Sequence, residues 1–215
     1  MSRPPVVLAS ASPRRHQLLK VLGVPFVVHT ADVDEVPLPG EAPEQTAARL
    51  SRAKASVVAD RVEGVVVAAD TLVVLDDEVL GKPANEAEAG AILRRLRRRS
   101  HRVLTGLTVQ DTGAGVADTV VVWSEVWMRD YSDAEIAAYV AGGDPMDKAG
   151  AYAIQHSTFM PVARLVGCPA NVMGLPTCRV DEMLRARGLT LEATPTQSCQ
   201  PARNRCVIRD LVFRG

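Results

Sequence analysis

Leu8-Ala9-Ser10-Ala11-Ser12-Pro13-Arg14-Arg15 carries the chain from an apolar strand directly into a helix. Val6, Val7 and Leu8 form a β-prone run, and Leu18, Leu19 and Leu22 begin an apolar stripe at helical spacing. Ser12 stands at the N-cap position and Pro13 in the first helical turn, where its missing N–H costs nothing. A helix start exposes free backbone N–H groups and the positive end of the helix dipole. Two guanidiniums and two hydroxyls there make the turn a candidate anion site, most naturally for phosphate. A capped surface helix with two solvated arginines fits the same residues, and on these residues alone both readings stand.

Outward from this turn, strands and helices alternate, which predicts an α/β protein around a central sheet. Gly23-Val24-Pro25 breaks the first helix, and Phe26-Val27-Val28-His29 forms a second strand. The acidic segment Asp32-Val33-Asp34-Glu35 follows, then a Pro/Gly-rich loop from Pro37 to Pro43. A helix is predicted from Glu44 to Val62. On its wheel Ala47, Leu50, Val57 and Val58 share a face, and Lys54 falls in the middle of it. A lysine aimed at a core either snorkels to water or reaches a buried anion. Arg61 lies on the same face but near the helix end, where water is accessible.

Val65-Val66-Val67-Ala68-Ala69-Asp70-Thr71-Leu72-Val73-Val74-Leu75 is a near-continuous apolar run, the pattern of a central strand covered on both faces. Asp70 interrupts it. A buried carboxylate needs a cation, a metal or several donors. Asp70 is therefore either half of a structural ion pair or a catalytic or metal-binding acid beside a cleft. The turn Asp76-Asp77-Glu78 and the strand Val79-Leu80 predict a hairpin that returns Gly81-Lys82-Pro83 to the neighbourhood of Asp70. This makes Lys82 a second candidate phosphate contact.

The helix predicted from Glu86 to Arg99 carries the run Arg94, Arg95, Arg97, Arg98 and Arg99 opposite an apolar side of Ala89, Ile92, Leu93 and Leu96. A solvated polar face explains it. Nucleic-acid binding would call for interleaved aromatics, and the chain is only 4% aromatic. His101, Val103 and Thr105 share one face of the next strand, with His101 expected to be structural. A strand from Val120 to Met128 follows, with Trp123, Trp127 and Tyr131 as core or core rim. Ser132-Asp133-Ala134-Glu135 is a capping box that opens a helix to Ala141. Gly142 to Gly150 is a tight connection with Asp147 and Lys148 side by side. A further strand is expected at Tyr152-Ala153-Ile154-Gln155, then a turn and a helix to Gly188. Beyond Leu189 the chain is polar and irregular.

At 215 residues, 47% hydrophobic and 23% charged, the chain has the composition of a globular protein with a sizeable core. Its formal net charge is zero, so no whole-molecule field favours DNA or an anionic membrane. The apolar runs are far shorter than a bilayer span, and the chain opens without a basic-then-apolar leader. A soluble, cytoplasmic protein with no nucleic-acid or membrane partner is expected. Cys168, Cys178, Cys199 and Cys206 lack metal-ligand spacing. A Cys199–Cys206 disulfide is disfavoured by a reducing cytosol, so free thiols are expected.

These separate candidates together resemble the Maf family. The resemblance rests on Leu8-Ala9-Ser10-x-Ser12-Pro13-Arg14-Arg15, Asp34-Glu35, the inward Lys54 and Ala69-Asp70-Thr71. It also rests on Gly81-Lys82-Pro83, His101-x-Val103-x-Thr105-Gly106, Asp147-Lys148-Ala149-Gly150-x-Tyr152-x-Ile154-Gln155 and Asn171-x-x-Gly174-Leu175-Pro176, all in the family's order. Cys168-Pro169 departs from the more polar residues usual before Asn171. The resemblance implies a strongly bent, mixed sheet flanked by helices, with two lobes around a deep nucleotide cleft, similar to inosine triphosphate pyrophosphatases. Residues 1–190 would form that domain, and 191–215 a C-terminal tail with no assigned role.

The activity implied is cleavage of a nucleoside triphosphate to the monophosphate and pyrophosphate, with a divalent cation (Mg²⁺ or Mn²⁺), in a homodimer linked to nucleotide housecleaning and septum formation. Arg14, Thr71 and Gln155 are the trio of the dTTP/UTP branch. The 7-methyl-GTP branch typically carries an aromatic residue, Gln and Glu there. On this reading Ser10, Arg14, Arg15, Lys54 and Lys82 surround the triphosphate, and Glu35 and Asp70 hold the metal. Asp70 positions or deprotonates the attacking water, and Thr71 and Gln155 face the base. Asp147 and Lys148 belong to the substrate site, with Asp147 either sharing the metal or orienting Lys148. Two alternatives stand beside this: 7-methyl-GTP specificity, and a nucleotide-binding regulator of cell division without turnover.

Overall fold

The computed structural model of the chain describes residues 4–191 and the backbone of 209–212. The chain runs β1 (Val6–Leu8), α1 (Pro13–Lys20), β2 (Phe26–Val28), α2 (Pro43–Ala59), β3 (Val65–Leu75), β4 (Glu78–Leu80) and α3 (Glu86–Leu96). A long hairpin of β5 (Ser100–Asp111) and β6 (Val116–Met128) follows, then α4 (Asp133–Ala141) and two 3-10 turns at 144–147 and 149–151. β7 (Val162–Val166), α5 (Pro169–Val172), α6 (Thr177–Arg185) and β8 (Arg209–Val212) complete it.

The eight strands among the described residues join one mixed sheet in the order β2-β1-β3-β5-β6-β7, with β4 beside β3 and β8 beside β6. β1 runs parallel to β2 and β3, and the remaining pairs are antiparallel. The α/β class and the helix-flanked mixed sheet are as the sequence predicts. Nearly all of the tail expected from residue 191 lies outside the described residues. Cys199 and Cys206 lie outside the described residues; Cys168 is buried and Cys178 half-buried.

β3 organises the molecule through its period-2 alternation. Val66, Ala68 and Val74 point to the face covered by α2, where Ala48, Ala55 and Val58 meet them. Val65, Val67 and Ala69 point to the other face and pack with Leu18 and Leu19 of α1 and Val180 and Leu184 of α6. Val73 and Leu75, also on that face, join Leu93 and Leu96 of α3 and Ile136 and Tyr139 of α4.

One edge of β3 is shared by two strands: β1 pairs with Val65 to Val67, and β4 with Val73 to Leu75. Between them the sheet forks, and Asp70 lies in the fork. The hairpin into β4 turns on Asp76 and Asp77, both with positive φ (51° and 67°), the backbone of a two-residue type I′ turn.

Several local expectations shift. α2 ends at Ala59 rather than Val62 and α3 at Leu96 rather than Arg99, because Arg97 leaves helical geometry and Arg98 takes φ 60°. The arginine run is held in ion pairs: Arg95 with Glu78, Arg94 and Arg97 with Asp133, Arg98 with Asp130, and Arg99 with Asp76. The strand expected at Tyr152 to Gln155 is a loop. Its backbone has no ladder partner there, and Ala153 N–H is instead bonded to the Tyr139 hydroxyl. The strand at Val162 to Val166, which the sequence reading leaves out, is an edge strand with exposed Ala163 and Arg164, so it lacks a clear alternation. The capping box on Ser132 and Glu135 forms as expected.

Candidate functional site

The alternation that builds the core also aims two polar side chains of β3 in opposite directions. Asp70, at an even position, faces α2. Thr71, at an odd position, faces α1. Lys54 of α2 meets the first and Arg15 of α1 meets the second.

Lys54 is buried, and its ammonium lies 2.5 Å from Oδ1 of Asp70 and 2.5 Å from Oε1 of Glu35. The lysine does not snorkel; it bridges two carboxylates. Burial raises the Glu35 carboxyl, but the bond and charge of Lys54, with the charges of Lys82 and Arg15, outweigh it and hold Glu35 below the usual carboxylate range. α2 comes close enough for this because β5 carries Gly106 directly opposite Asp70. A Cβ on Gly106 would lie 2.0 Å from the carbonyl oxygen of Ala47.

Arg15 is half-buried and tied to three elements. Its Nε donates to the carbonyl of Gly174 (2.8 Å), Nη1 to the Ser10 hydroxyl (3.3 Å) and Nη2 to the Thr71 hydroxyl (3.1 Å). Burial lowers its pKa, and the nearby charge of Asp70 acts in the opposite sense. Ser12 occupies the N-cap position of α1, yet its side chain makes no capping bond. The turn is closed instead by Ser10 Oγ, which accepts from Ser12 N–H (3.2 Å).

On the far wall Lys148 is buried and donates to Asp147 Oδ1 (2.6 Å), Asp144 Oδ1 (3.1 Å) and the Asp144 carbonyl (2.5 Å). Asp147 thus bonds Lys148. Asp144 also accepts the Tyr139 hydroxyl proton at 2.5 Å, and that hydroxyl accepts the N–H of Ala153 (3.0 Å), two residues before Gln155.

The residues that the sequence assigns to substrate, metal, catalysis or specificity all border one pocket of about 710 Å³ at the fork of the sheet. Ser10, Arg14 and Arg15 enter from the β1–α1 turn, Glu35 from the loop after β2, and Lys54 from α2. Asp70 and Thr71 come from β3, and Lys82 follows β4. Asp147, Lys148 and Gln155 close the opposite side. Sequence reasoning missed Asp144 and Tyr139. The i, i+4 spacing of Asp144 and Lys148 was the available signal for the first. Asn171 supports the floor: its side-chain amide donates to the Val103 carbonyl and the Ser124 hydroxyl, both at 3.0 Å. The Cys168-Pro169 departure is accommodated, since Cys168 exchanges bonds with Ser124 through its backbone.

Residues 5–187 match the family model described as Maf-like protein. A protein of Geobacter sulfurreducens named dTTP/UTP pyrophosphatase is 49% identical over 189 residues, covering 87% of this chain and 99% of that one. Namesakes from Thermomicrobium roseum and Myxococcus xanthus are 45% and 46% identical, over 94% and 86% of this chain and 92% and 94% of theirs. A model matched across nearly the whole described chain, and relatives aligned almost end to end, place it: the chain belongs to the Maf family.

Proposed function

We propose that the protein is a nucleoside triphosphate pyrophosphatase that hydrolyses dTTP and UTP to the monophosphate and pyrophosphate. The observation that carries this reading is Asp70: a lone acid in an apolar strand, held by Lys54 at a pocket edged elsewhere by Arg14, Arg15, Lys82 and Lys148. Relatives named for this activity, one of them 49% identical, support the choice of substrate over the 7-methyl-GTP and non-enzymatic alternatives.

Arg15 and Lys82, with Arg14 and Lys148, bind the triphosphate and offset charge that builds on it as the bond breaks. Lys54 engages Oδ1 of Asp70, and Oδ2 is the oxygen assigned to the water. That oxygen takes the water's proton as the water oxygen bonds to the α-phosphorus, and the α–β bridging oxygen leaves with pyrophosphate. Gln155 presents an amide that both donates and accepts, which suits the carbonyl and N–H edge of a pyrimidine.

Glu35 and Asp70 fit a Mg²⁺ or Mn²⁺ ion. Both are hard carboxylate donors that converge on one ammonium, and an ion carried by a triphosphate needs only one or two protein carboxylates. Among the described residues no cluster of three or more such ligands occurs, so phosphate oxygens would complete the shell. When bound, the ion would supply charge neutralisation on the phosphates.

The test is a panel of dTTP, UTP, CTP, dATP, GTP and 7-methyl-GTP with the purified protein and Mg²⁺, assaying pyrophosphate and orthophosphate separately. Pyrophosphate from dTTP and UTP ahead of the others is expected. No pyrophosphate from any nucleotide would overturn the enzymatic reading, and dominance of 7-methyl-GTP would overturn the substrate.

A further inference from the structure

Glu35 reaches Lys54 from a stretch of chain with little to hold it. Residues 30–37 belong to no helix or strand. Hydrophobic burial does not anchor the segment that follows Glu35, because Val36 and Leu38 are 65% and 54% exposed. A carboxylate carried on such a segment would sample many positions, and ordering it has an entropic cost that other contacts must offset.

Arg49, on α2 five residues before Lys54, supplies those contacts. Its Nη2 donates to the Val36 carbonyl (3.1 Å), while Oδ1 of Asp34 accepts the Val36 N–H (3.0 Å). The residue next to Glu35 is thus fixed at both of its backbone groups. The guanidinium is itself held in place by Glu41, through Nε to Oε1 and Nη2 to Oε2, both 2.7 Å. Two parallel bonds of this kind set the plane of the guanidinium, and Nη2 has one N–H for Glu41 and one for Val36. Glu41 is also tied to its surroundings: Oε2 accepts the Thr46 hydroxyl (2.9 Å) and the Leu38 N–H (3.2 Å). α2 therefore grips the loop at successive residues, Lys54 by the side chain of Glu35 and Arg49 by the backbone of Val36.

We propose that Arg49 and Glu41 form a clamp that presents Glu35 to the metal and to Lys54, with Arg49 a positioning residue for the Glu35 carboxylate. This deepens the pyrophosphatase reading and rests on its assignment of Glu35 as a metal ligand. Arg49 acts through the shape of its contacts: a lysine would keep the charge but could not bond both Glu41 oxygens in parallel and the Val36 carbonyl together.

The test is a double-mutant cycle read by Mn²⁺ binding, followed without turnover from the electron paramagnetic resonance signal of the free ion. Arg49→Gln should raise the Mn²⁺ dissociation constant by about tenfold, the effect of losing a partner that orients a metal ligand. In a Glu35→Gln background the same substitution should change it by less than about twofold, because Arg49 acts through Glu35. Arg49→Lys should behave as Arg49→Gln does. Glu41→Gln, which weakens the clamp from its other side, stands in should the Arg49 variants fail to fold. In the dTTP assay, the Mg²⁺ concentration for half-maximal rate should rise by a similar factor in Arg49→Gln. Unchanged Mn²⁺ affinity in Arg49→Gln, an equal loss in both backgrounds, full affinity in Arg49→Lys, or a parent that binds no Mn²⁺ would each overturn the proposal. If the parent released no pyrophosphate from any triphosphate, the enzymatic reading would fail separately, while the Mn²⁺ cycle would still decide the link between Arg49 and Glu35.

Discussion

Lys54 and Asp70 meet across the α2–β3 interface at 2.5 Å, with their side chains 10% and 9% exposed. A pair this buried owes its net effect to the partnership, because removing one member leaves the other desolvated and uncompensated. Lys54→Met should therefore destabilise the fold by about 3 kcal/mol, read as a lower urea midpoint. Asp70→Asn should cost less stability, abolish turnover and leave nucleotide affinity largely intact. The double variant should recover part of the loss. Single-variant effects that merely add in the double would show that the pair is not coupled.

Gly106 opposite Asp70 is the condition for that meeting. Because a Cβ there would run into the Ala47 carbonyl at 2.0 Å, Gly106→Ala must push α2 off the sheet and carry Lys54 with it. A loss of about 3 kcal/mol is expected from overpacking of this kind, with turnover falling further than stability alone explains. Differential scanning calorimetry and a pyrophosphate assay on the folded fraction check it. Parent-like values in both would mean that the helix is not held at this distance.

Much of this arrangement is legible along the chain because local periodicity encodes it. The apolar run from Val65 to Leu75 identifies the central strand, and the helical wheel of α2 turns Lys54 inward before any partner is known. Two aspartates suffice to predict the hairpin into β4. Other contacts lack a local signature. The Gly174 carbonyl that holds Arg15 is 159 residues away, and Thr71 is 56 residues away. Neither spacing carries periodicity. The segment Tyr152 to Gln155 looks like a strand but has its backbone pinned by a side chain from α4, a bond that composition cannot reveal. Asp144 is hidden for another reason: beside Gly143 and Pro145 it looks like a turn residue, and only the fold brings Tyr139 and Lys148 onto its two oxygens.

His101 gives the fold an acid-sensitive element. It is buried on β5, its Nε2 is 2.7 Å from the Tyr152 hydroxyl, and burial lowers its pKa from 6.5 to about 4. Between those values the unfolded chain holds the proton and the native state does not, so stability falls as pH drops through this window. At most about 3 kcal/mol is at stake. Urea midpoints of the parent and of His101→Gln, measured from pH 7 to pH 4.5, should converge as the pH falls, because only the parent carries this term. Parallel curves would show that the imidazole titrates normally.

The Tyr139 hydroxyl is a relay between the two halves of the far wall. It donates to Asp144, which also holds Lys148, and it accepts from Ala153, just ahead of Gln155. Its ring stacks on Phe159 with centroids 4.3 Å apart, so Tyr139→Phe keeps the packing and removes only the relay. Two groups then lose a partner, the buried Ala153 N–H and one oxygen of Asp144, at an expected cost of about 1–3 kcal/mol. Lys148 still compensates the charge of Asp144, so the fold should survive. On the proposed function, in which Gln155 meets the base, the freed loop should appear as a higher KM for dTTP and UTP with kcat little changed. Pyrophosphate, which carries no base, should bind the variant as it binds the parent. A parallel loss of pyrophosphate affinity would mean that the relay acts through Lys148 on the phosphates instead.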